Sequence, residues 1–98
     1  MARWDAKLRF AIAHKRLLEC TYDTRSRTAE PHDYGLLNGV AKLLVYQIRG
    51  GRSPVPGWRL LEVSKIEQLV VLEKTFRGSR KQAHQHHYEW DTLFARVE

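Results

Sequence analysis

With 98 residues the chain has room for one hydrophobic core, and its 43% hydrophobic and 29% charged residues exclude the disordered class of chains. No run of about eighteen apolar residues is present to span a membrane, and the single cysteine, Cys20, excludes an internal disulfide. Seventeen basic against eleven acidic residues give a net charge of +6, which favours nucleic acid or another polyanion as a partner. We therefore expect one cytoplasmic domain.

The first predicted element is a short amphipathic helix. Asp5 is placed to cap its N-terminus. The apolar stripe of this helix consists of Trp4, Leu8, Ala11 and Ile12. The period of the pattern then changes from helical spacing to two, because apolar and polar residues alternate from Leu18 to Tyr22. This alternation predicts a half-buried strand.

The central part of the chain predicts strands joined by a tight hairpin. A second strand is expected from Arg27 to Pro31, where the missing amide hydrogen disfavours central pairing, and residues 32–37 are expected to be extended or bent. Asn38-Gly39 is typical of a two-residue hairpin turn, which needs positive φ at both central positions. The nearly continuous apolar run at 40–48 then predicts a strand at the centre of a sheet.

The remaining pattern predicts two more strands and a second helix. Residues 49–57 are rich in glycine and proline and predict an exposed loop. Strands are expected at 58–63 and 66–72, and five short strands after one helix favour a small closed barrel. Residues 77–87 are polar and basic. Apolar residues at helical spacing after this linker predict a C-terminal amphipathic helix, and they are Trp90, Leu93, Phe94 and Val97.

The order of a helix, the strand LLECTY, the segment RTAEPHDYG, a strand ending in LLVYQ and the segment WRLLEVSKIEQL resembles the WYL domain, a bacterial Sm-like barrel. The resemblance covers Leu8 to Phe76 and includes Arg27 four residues before Pro31. We accordingly expect an α+β, mainly β, fold. It comprises an N-terminal helix and a five-stranded Sm-like barrel over residues 1–76, followed by a basic linker and an amphipathic helix over 77–98.

The resemblance also implies a function. WYL domains usually follow a winged-helix domain in transcriptional regulators and are thought to sense a nucleotide-like or nucleic-acid ligand through basic residues of the barrel. For this chain the resemblance implies a standalone ligand-sensing module, without catalytic activity and without a cofactor.

Basic and aromatic residues of different predicted strands form the candidate binding site. A barrel brings several of these cations to one face, where they offer charge-assisted hydrogen bonds to phosphate. Interleaved aromatic rings, including Trp58, offer stacking surfaces to bases, although aromatic residues in strands more often belong to the core. The predicted ligand-binding residues are Arg27, His32, Tyr34, Lys42, Tyr46, Arg59 and Lys65.

Three weaker patterns point to other chemistries. The loop from Arg49 to Arg52 contains two glycines and offers backbone amides to an anion, but a solvated hairpin tip is the simpler interpretation. A histidine cluster suggests zinc or nickel, but its spacing does not make a preformed site. That cluster consists of His84, His86 and His87. Cys20 lies in an apolar strand, where a thiol behaves as a small hydrophobic group, so we expect no enzyme.

The alternative hypothesis is a protein-interaction domain. In this alternative, the apolar face of the predicted C-terminal helix, together with Trp4, forms a homodimer or docks onto a larger regulator, and the positive charge is incidental.

Overall fold

A computed structural model describes residues 3–52, 56–81 and 88–98. The chain begins with one helix, α1 (Asp5–Ala13), which is followed by six strands. The strands are β1 (Arg16–Tyr22), β2 (Arg25–Leu37), β3 (Val40–Gly50), β4 (Gly57–Glu62), β5 (Gln68–Thr75) and β6 (Thr92–Arg96). A short 3-10 helix, Val63–Lys65, lies between β4 and β5.

The six strands form one antiparallel sheet. The strand order is β4-β3-β2-β1-β5, and β6 also pairs with β2. A mainly β fold with an N-terminal helix is therefore confirmed. Within the described residues no ladder joins β4 to β5, so the sheet is open where a closed five-stranded barrel was predicted. The sixth strand, β6, was not predicted, and it pairs with residues 33–36 of β2.

The long strand β2 organises the sheet. One edge of β2 pairs with β3, while the other edge pairs with β1 through residues 25–29 and with β6 through residues 33–36. The strand continues through Pro31, which lies opposite Val45. The register then shifts by one residue, which leaves His32 as a bulge beside the proline. This bulge is the reason that β2 does not end at Pro31.

The main core lies between one face of the sheet, here called the inner face, and α1. Leu8, Ala11 and Ile12 of the helix are buried against it, as their spacing predicts. Trp4, rather than Asp5, precedes the first helical turn, and no side chain caps the helix. The predicted cap is therefore wrong. The inner-face residues include Leu18, Cys20, Ala29, Tyr34, Leu43, Val45, Leu61 and Leu69.

The C-terminal segment forms strand β6 where an amphipathic helix was predicted. Val97 is only 3% exposed, and the ring of Phe94 packs at 5.1 Å from that of Tyr34. The predicted docking face is therefore largely used inside the fold, and only Leu93 is markedly exposed. The free hydrogen-bonding edge of β2 explains the outcome, since buried backbone groups require partners.

Two ion pairs hold the C-terminal segment to the other face of β2, here called the outer face. Arg80 donates two hydrogen bonds of 2.8 and 3.0 Å to the carboxylate of Glu30. Arg96 donates two bonds of 2.9 and 3.1 Å to Asp33, which is fully buried. Bidentate hydrogen bonding between an arginine and a carboxylate offsets the cost of burying the carboxylate. The pairs therefore anchor Arg80 and strand β6 to β2.

Candidate anion-binding pocket

A pocket of about 370 Å³ opens at one end of the inner face. It lies where the turn between β1 and β2 approaches the loop between β3 and β4, because Arg27 of β2 is opposite Gly50 of β3. The lining contains three arginines, one carboxylate, one aromatic ring, an amide and two leucines. These residues are Tyr22, Asp23, Arg27, Gln47, Arg52, Arg59, Leu60 and Leu61. We call this site the arginine pocket.

Arg27 is the central group of the arginine pocket. This residue is only 7% exposed to solvent. One terminal nitrogen donates to Oε1 of Gln47 at 2.9 Å and the other donates to the carbonyl of Tyr22 at 3.1 Å. Its Nε–H has no acceptor in the part of the chain that the structure describes. Within the described residues no carboxylate oxygen lies within 4.0 Å of this guanidinium.

A buried cation without an anionic partner is costly. Burial removes the charge from water, and neutral acceptors compensate for this only in part. The ring of Tyr22 adds a further attraction, since the Arg27 guanidinium carbon lies 5.2 Å from the ring centroid. The site therefore has unused capacity to stabilise a negative charge.

Gln47 links Arg27 to the loop that borders the pocket. This amide is 1% exposed. While its oxygen accepts from Arg27, its nitrogen donates to the carbonyl of Gly50 at 2.7 Å. Gly50 and Gly51 both have positive φ, at 86° and 77°, a backbone geometry that glycine adopts without strain. Gln47 therefore orients the arginine and fixes the turn with one side chain.

Arg52 and Arg59 supply the remaining positive charge of the pocket. Arg59 lies on β4 opposite Val45, which places it on the inner face. Its guanidinium donates to the carbonyl of Trp58 at 2.9 Å. Arg52 is exposed at the end of the glycine loop. Among the described lining residues Asp23 is the single carboxylate, so the three arginines leave this lining net positive.

His32 lies away from the arginine pocket, on the outer face. It is fully buried, with Nδ1 2.9 Å from the carbonyl oxygen of Glu30. That oxygen only accepts, so Nδ1 carries the proton and Nε2 is left as an acceptor without a hydrogen bond among the described residues. A carboxylate oxygen of Glu30 lies 4.0 Å from Nε2. Burial lowers the pKa of His32 below its ordinary value. Trp58 and Phe76 pack around the imidazole at ring distances of 4.7 and 5.6 Å.

The two tyrosines that were predicted to bind the ligand pack against other side chains of the fold. Tyr34 is 1% exposed and donates a hydrogen bond of 2.7 Å to Asp5. Burial, followed by this bond to a carboxylate, raises the pKa of Tyr34 to about 12. Tyr46 lies on the outer face, where the Arg80 guanidinium carbon is 3.6 Å from its ring centroid. Neither ring faces the arginine pocket.

The two predicted lysines also lie outside the pocket. Lys42 is 3.6 Å from a carboxylate oxygen of Glu62 across the β3–β4 ladder. Lys65 is exposed on the 3-10 helix. Of the seven predicted ligand-binding residues, Arg27 and Arg59 line the arginine pocket. His32 and Tyr46 both contact the ring of Trp58 on the outer face.

Six lining residues of the pocket were not among the predicted ligand-binding residues, namely Tyr22, Asp23, Gln47, Arg52, Leu60 and Leu61. Arg52 belongs to the glycine loop that the sequence analysis interpreted as a solvated tip, and the proximity of that loop to Arg27 follows only from the register of β2 and β3. Gln47 carried a usable signal, because a polar residue inside an apolar strand predicts a buried hydrogen-bonding role.

Other chemistries have little support in the described residues. No group of three or more histidine, cysteine or acidic side chains there is arranged to hold a metal ion. The histidine cluster at 84, 86 and 87 lies outside the described residues. Cys20 is buried, and burial raises its pKa to about 11, which keeps the thiol protonated and unreactive. No helix among the described residues has the length and apolarity to cross a membrane.

Comparison of the chain with protein-family models, with curated proteins and with solved structures finds no match in any of the three. The geometry of the site therefore carries the functional argument.

Proposed function

We propose that this domain is a ligand-sensing regulatory module that binds a nucleotide or a short single-stranded nucleic acid in the arginine pocket. The observation that carries the proposal is Arg27, a buried guanidinium that lines the pocket and that has, among the described residues, no carboxylate partner and one N–H without an acceptor. A phosphate group is a chemically suitable partner, because a guanidinium presents a planar fork of donors to its oxygens.

The size and composition of the pocket support a ligand of this class. Its volume of about 370 Å³ lies in the lower part of the range for small-molecule sites, about 300–1,000 Å³. Arg52 is exposed at the mouth and is suited to electrostatic attraction of an approaching anion. Leu60 and Leu61 give part of the wall an apolar surface suited to the less polar part of a nucleotide.

The resemblance to the WYL family supports the same proposal from the sequence. Arg27 is the residue four positions before Pro31 in that resemblance, and it is also the central cation of the pocket. The sensing role, the Sm-like nature of the bent sheet, a cytoplasmic location and a place in bacterial transcriptional regulation are parts of this proposal, and so is the absence of enzymatic activity.

Salt-titrated binding of labelled oligothymidylate and oligouridylate, measured by fluorescence anisotropy, tests the proposal. AMP and inorganic phosphate serve as competitors. We expect affinity to fall with rising salt, with a slope of about −0.7 per phosphate contact of a single strand. Arg52→Glu is expected to weaken binding about tenfold and to flatten this slope. Because Arg52 is exposed, its replacement should not alter the fold.

Lys74→Glu is the matched control, because Lys74 is an exposed cation on β5 and does not line the arginine pocket. The control makes the same change in net charge and should alter affinity less than twofold. Equal losses in the two variants would indicate attraction by net charge alone and would overturn the proposed site. An absence of binding by every probe at low salt would also overturn it.

A further inference from the structure

A second surface of the molecule has no role in the proposed function. Two depressions, of about 390 and 260 Å³, adjoin at Ala41 and share it as a lining residue. They lie on either side of the start of α1, since Asp5 lines the first and Trp4 lines the second. We call the combined surface the Ala41 groove. No residue of the arginine pocket lines it.

We propose that the Ala41 groove binds an acidic segment of a partner protein that carries apolar anchor side chains. The inference does not depend on the proposed nucleotide function.

The floor of the groove is apolar. Leu36 and Phe94 line one depression, and Trp4, Val63 and Ile66 line the other. The indole of Trp4 is held in place, because its Nε1 donates to the carbonyl of Ile66 at 3.1 Å. A fixed aromatic ring beside apolar pockets is a typical anchor point of peptide-binding surfaces, since little conformational entropy is lost on binding.

Three cations lie on or next to the Trp4 side of this floor. The Arg3 guanidinium lies 4.7 Å from the centroid of the Trp4 ring, and the Lys7 ammonium lies 5.6 Å from it. Lys65 follows Ser64, a lining residue of the groove. In the described part of the chain none of these three cations has a carboxylate oxygen within 4.0 Å.

The acidic residues near the groove are engaged in bonds of their own. Asp5 accepts hydrogen bonds from Tyr34 and Arg9, and these hold the pKa of its carboxyl below the usual range. Glu62 accepts from Ser64 and pairs with Lys42, and Asp91 accepts from the backbone of Gly39. The available charge at the rim is therefore positive. An acidic segment complements it, because association is favoured when opposite potentials meet.

A fluorescein-labelled peptide of about twelve residues that alternates glutamate with leucine and phenylalanine is the first probe. Two control peptides replace either the apolar residues by serine or the glutamates by lysine. We expect anisotropy to show binding of the first peptide and about tenfold weaker binding of each control. The affinity for the first peptide should fall from low to physiological salt.

Variants of the protein locate the site. The double variant Arg3→Glu/Lys7→Glu should bind the acidic apolar peptide about tenfold more weakly than the parent protein does. Lys74→Glu should change this affinity less than twofold. All three residues are exposed, so circular dichroism should report an unchanged fold. Arg52→Glu should leave the peptide unaffected, and the Arg3 and Lys7 changes should leave oligonucleotide binding unaffected, which separates this site from the arginine pocket.

Equal binding of the three peptides, or no binding of the first peptide, would overturn the proposal. The proposal would also be overturned if oligothymidylate or phosphatidylglycerol vesicles displaced the labelled peptide as strongly as the unlabelled peptide does. The groove would then be a non-selective cationic surface. The protein alone could also show a mass in solution that rises with concentration. If this self-association were lost in the Arg3→Glu/Lys7→Glu variant, the groove would bind a second copy of the chain, which would contradict the proposed partner.

Discussion

Replacing Arg96 by methionine removes the guanidinium that pairs with the buried carboxylate of Asp33. Asp33 is fully buried and accepts two hydrogen bonds from Arg96, of 2.9 and 3.1 Å. Methionine retains much of the volume of the aliphatic stem, so the change is mainly the loss of the charge and its donors. The expected result is a less stable protein whose carboxylate is buried without compensation.

The size of the loss follows from the burial of the two partners. Breaking a buried ion pair by removing one partner costs about 3–5 kcal/mol. The side chain of Arg96 is 37% exposed, so solvent screens part of the attraction and we expect a loss of about 2 kcal/mol. With a urea m value of about 1.3 kcal/mol/M, the unfolding midpoint falls by about 1.5 M. Equilibrium unfolding followed by tryptophan fluorescence measures this shift.

The double variant Asp33→Leu/Arg96→Met is the control. It replaces both polar partners by apolar groups, so it should recover at least half of the lost free energy of unfolding. An Arg96→Met variant within about 0.5 kcal/mol of the parent would refute the conclusion that this pair holds β6 against β2.

Three further outcomes are expected. Gln47→Glu places a carboxylate against the guanidinium of Arg27, so oligonucleotide affinity should fall about tenfold. It also removes the donor to the Gly50 carbonyl, and this loss opposes the stabilisation that the new ion pair brings. Burial lowers the pKa of His32, so the unfolded chain binds a proton that the folded chain does not, and the free energy of unfolding should decrease as the pH falls below about 6.5. Urea unfolding should show this decrease and should show less of it in His32→Leu. Gly35→Ala places a Cβ 2.3 Å from the carbonyl oxygen of Thr92, so amide hydrogen exchange of β6 should become faster.

Each outcome has a result that contradicts it. Unchanged oligonucleotide binding in Gln47→Glu would show that Arg27 is not the central contact. If the free energy of unfolding of His32→Leu decreased below about pH 6.5 as much as that of the parent protein, the pH dependence would belong to other groups. Unaltered exchange in Gly35→Ala would mean that the backbone adjusts without loosening β6.

Local sequence patterns were sufficient for the elements whose partners are close in the chain. The spacing of Leu8, Ala11 and Ile12 predicts the buried face of α1, and Asn38-Gly39 predicts the hairpin between β2 and β3. The apolar run at 40–48 predicts a strand that pairs on both sides. In these cases the preference of the local sequence and the surrounding fold agree.

The C-terminal strand shows where local patterns fail. Trp90, Leu93, Phe94 and Val97 have helical spacing, but a segment this short is also compatible with a strand. The deciding interaction is the pairing of β6 with β2, which is about sixty residues away in the chain. The same distance hides the bond between Arg96 and Asp33. Periodicity alone contains no information about such partners.

The site was predicted in part for a related reason. Arg27 and Arg59 were identified because each is a cation on or beside a predicted strand, but Lys42 and Lys65 satisfied the same criterion and lie elsewhere. Which cations share a pocket depends on register and on the face to which each residue belongs. The participation of Gln47 likewise depends on its position beside Arg27 across the sheet.

Titration of AMP into protein labelled with ¹⁵N, followed through the arginine Nε–H resonances, tests the central claim most directly. Arg27 lines the pocket together with Arg52 and Arg59, so its Nε–H resonance should shift on binding, and those of Arg52 and Arg59 should follow the same saturation curve. Arg3 and Arg9, which line the other surface, should not move. A saturable shift at Arg3 and Arg9 with none at Arg27 would contradict the account.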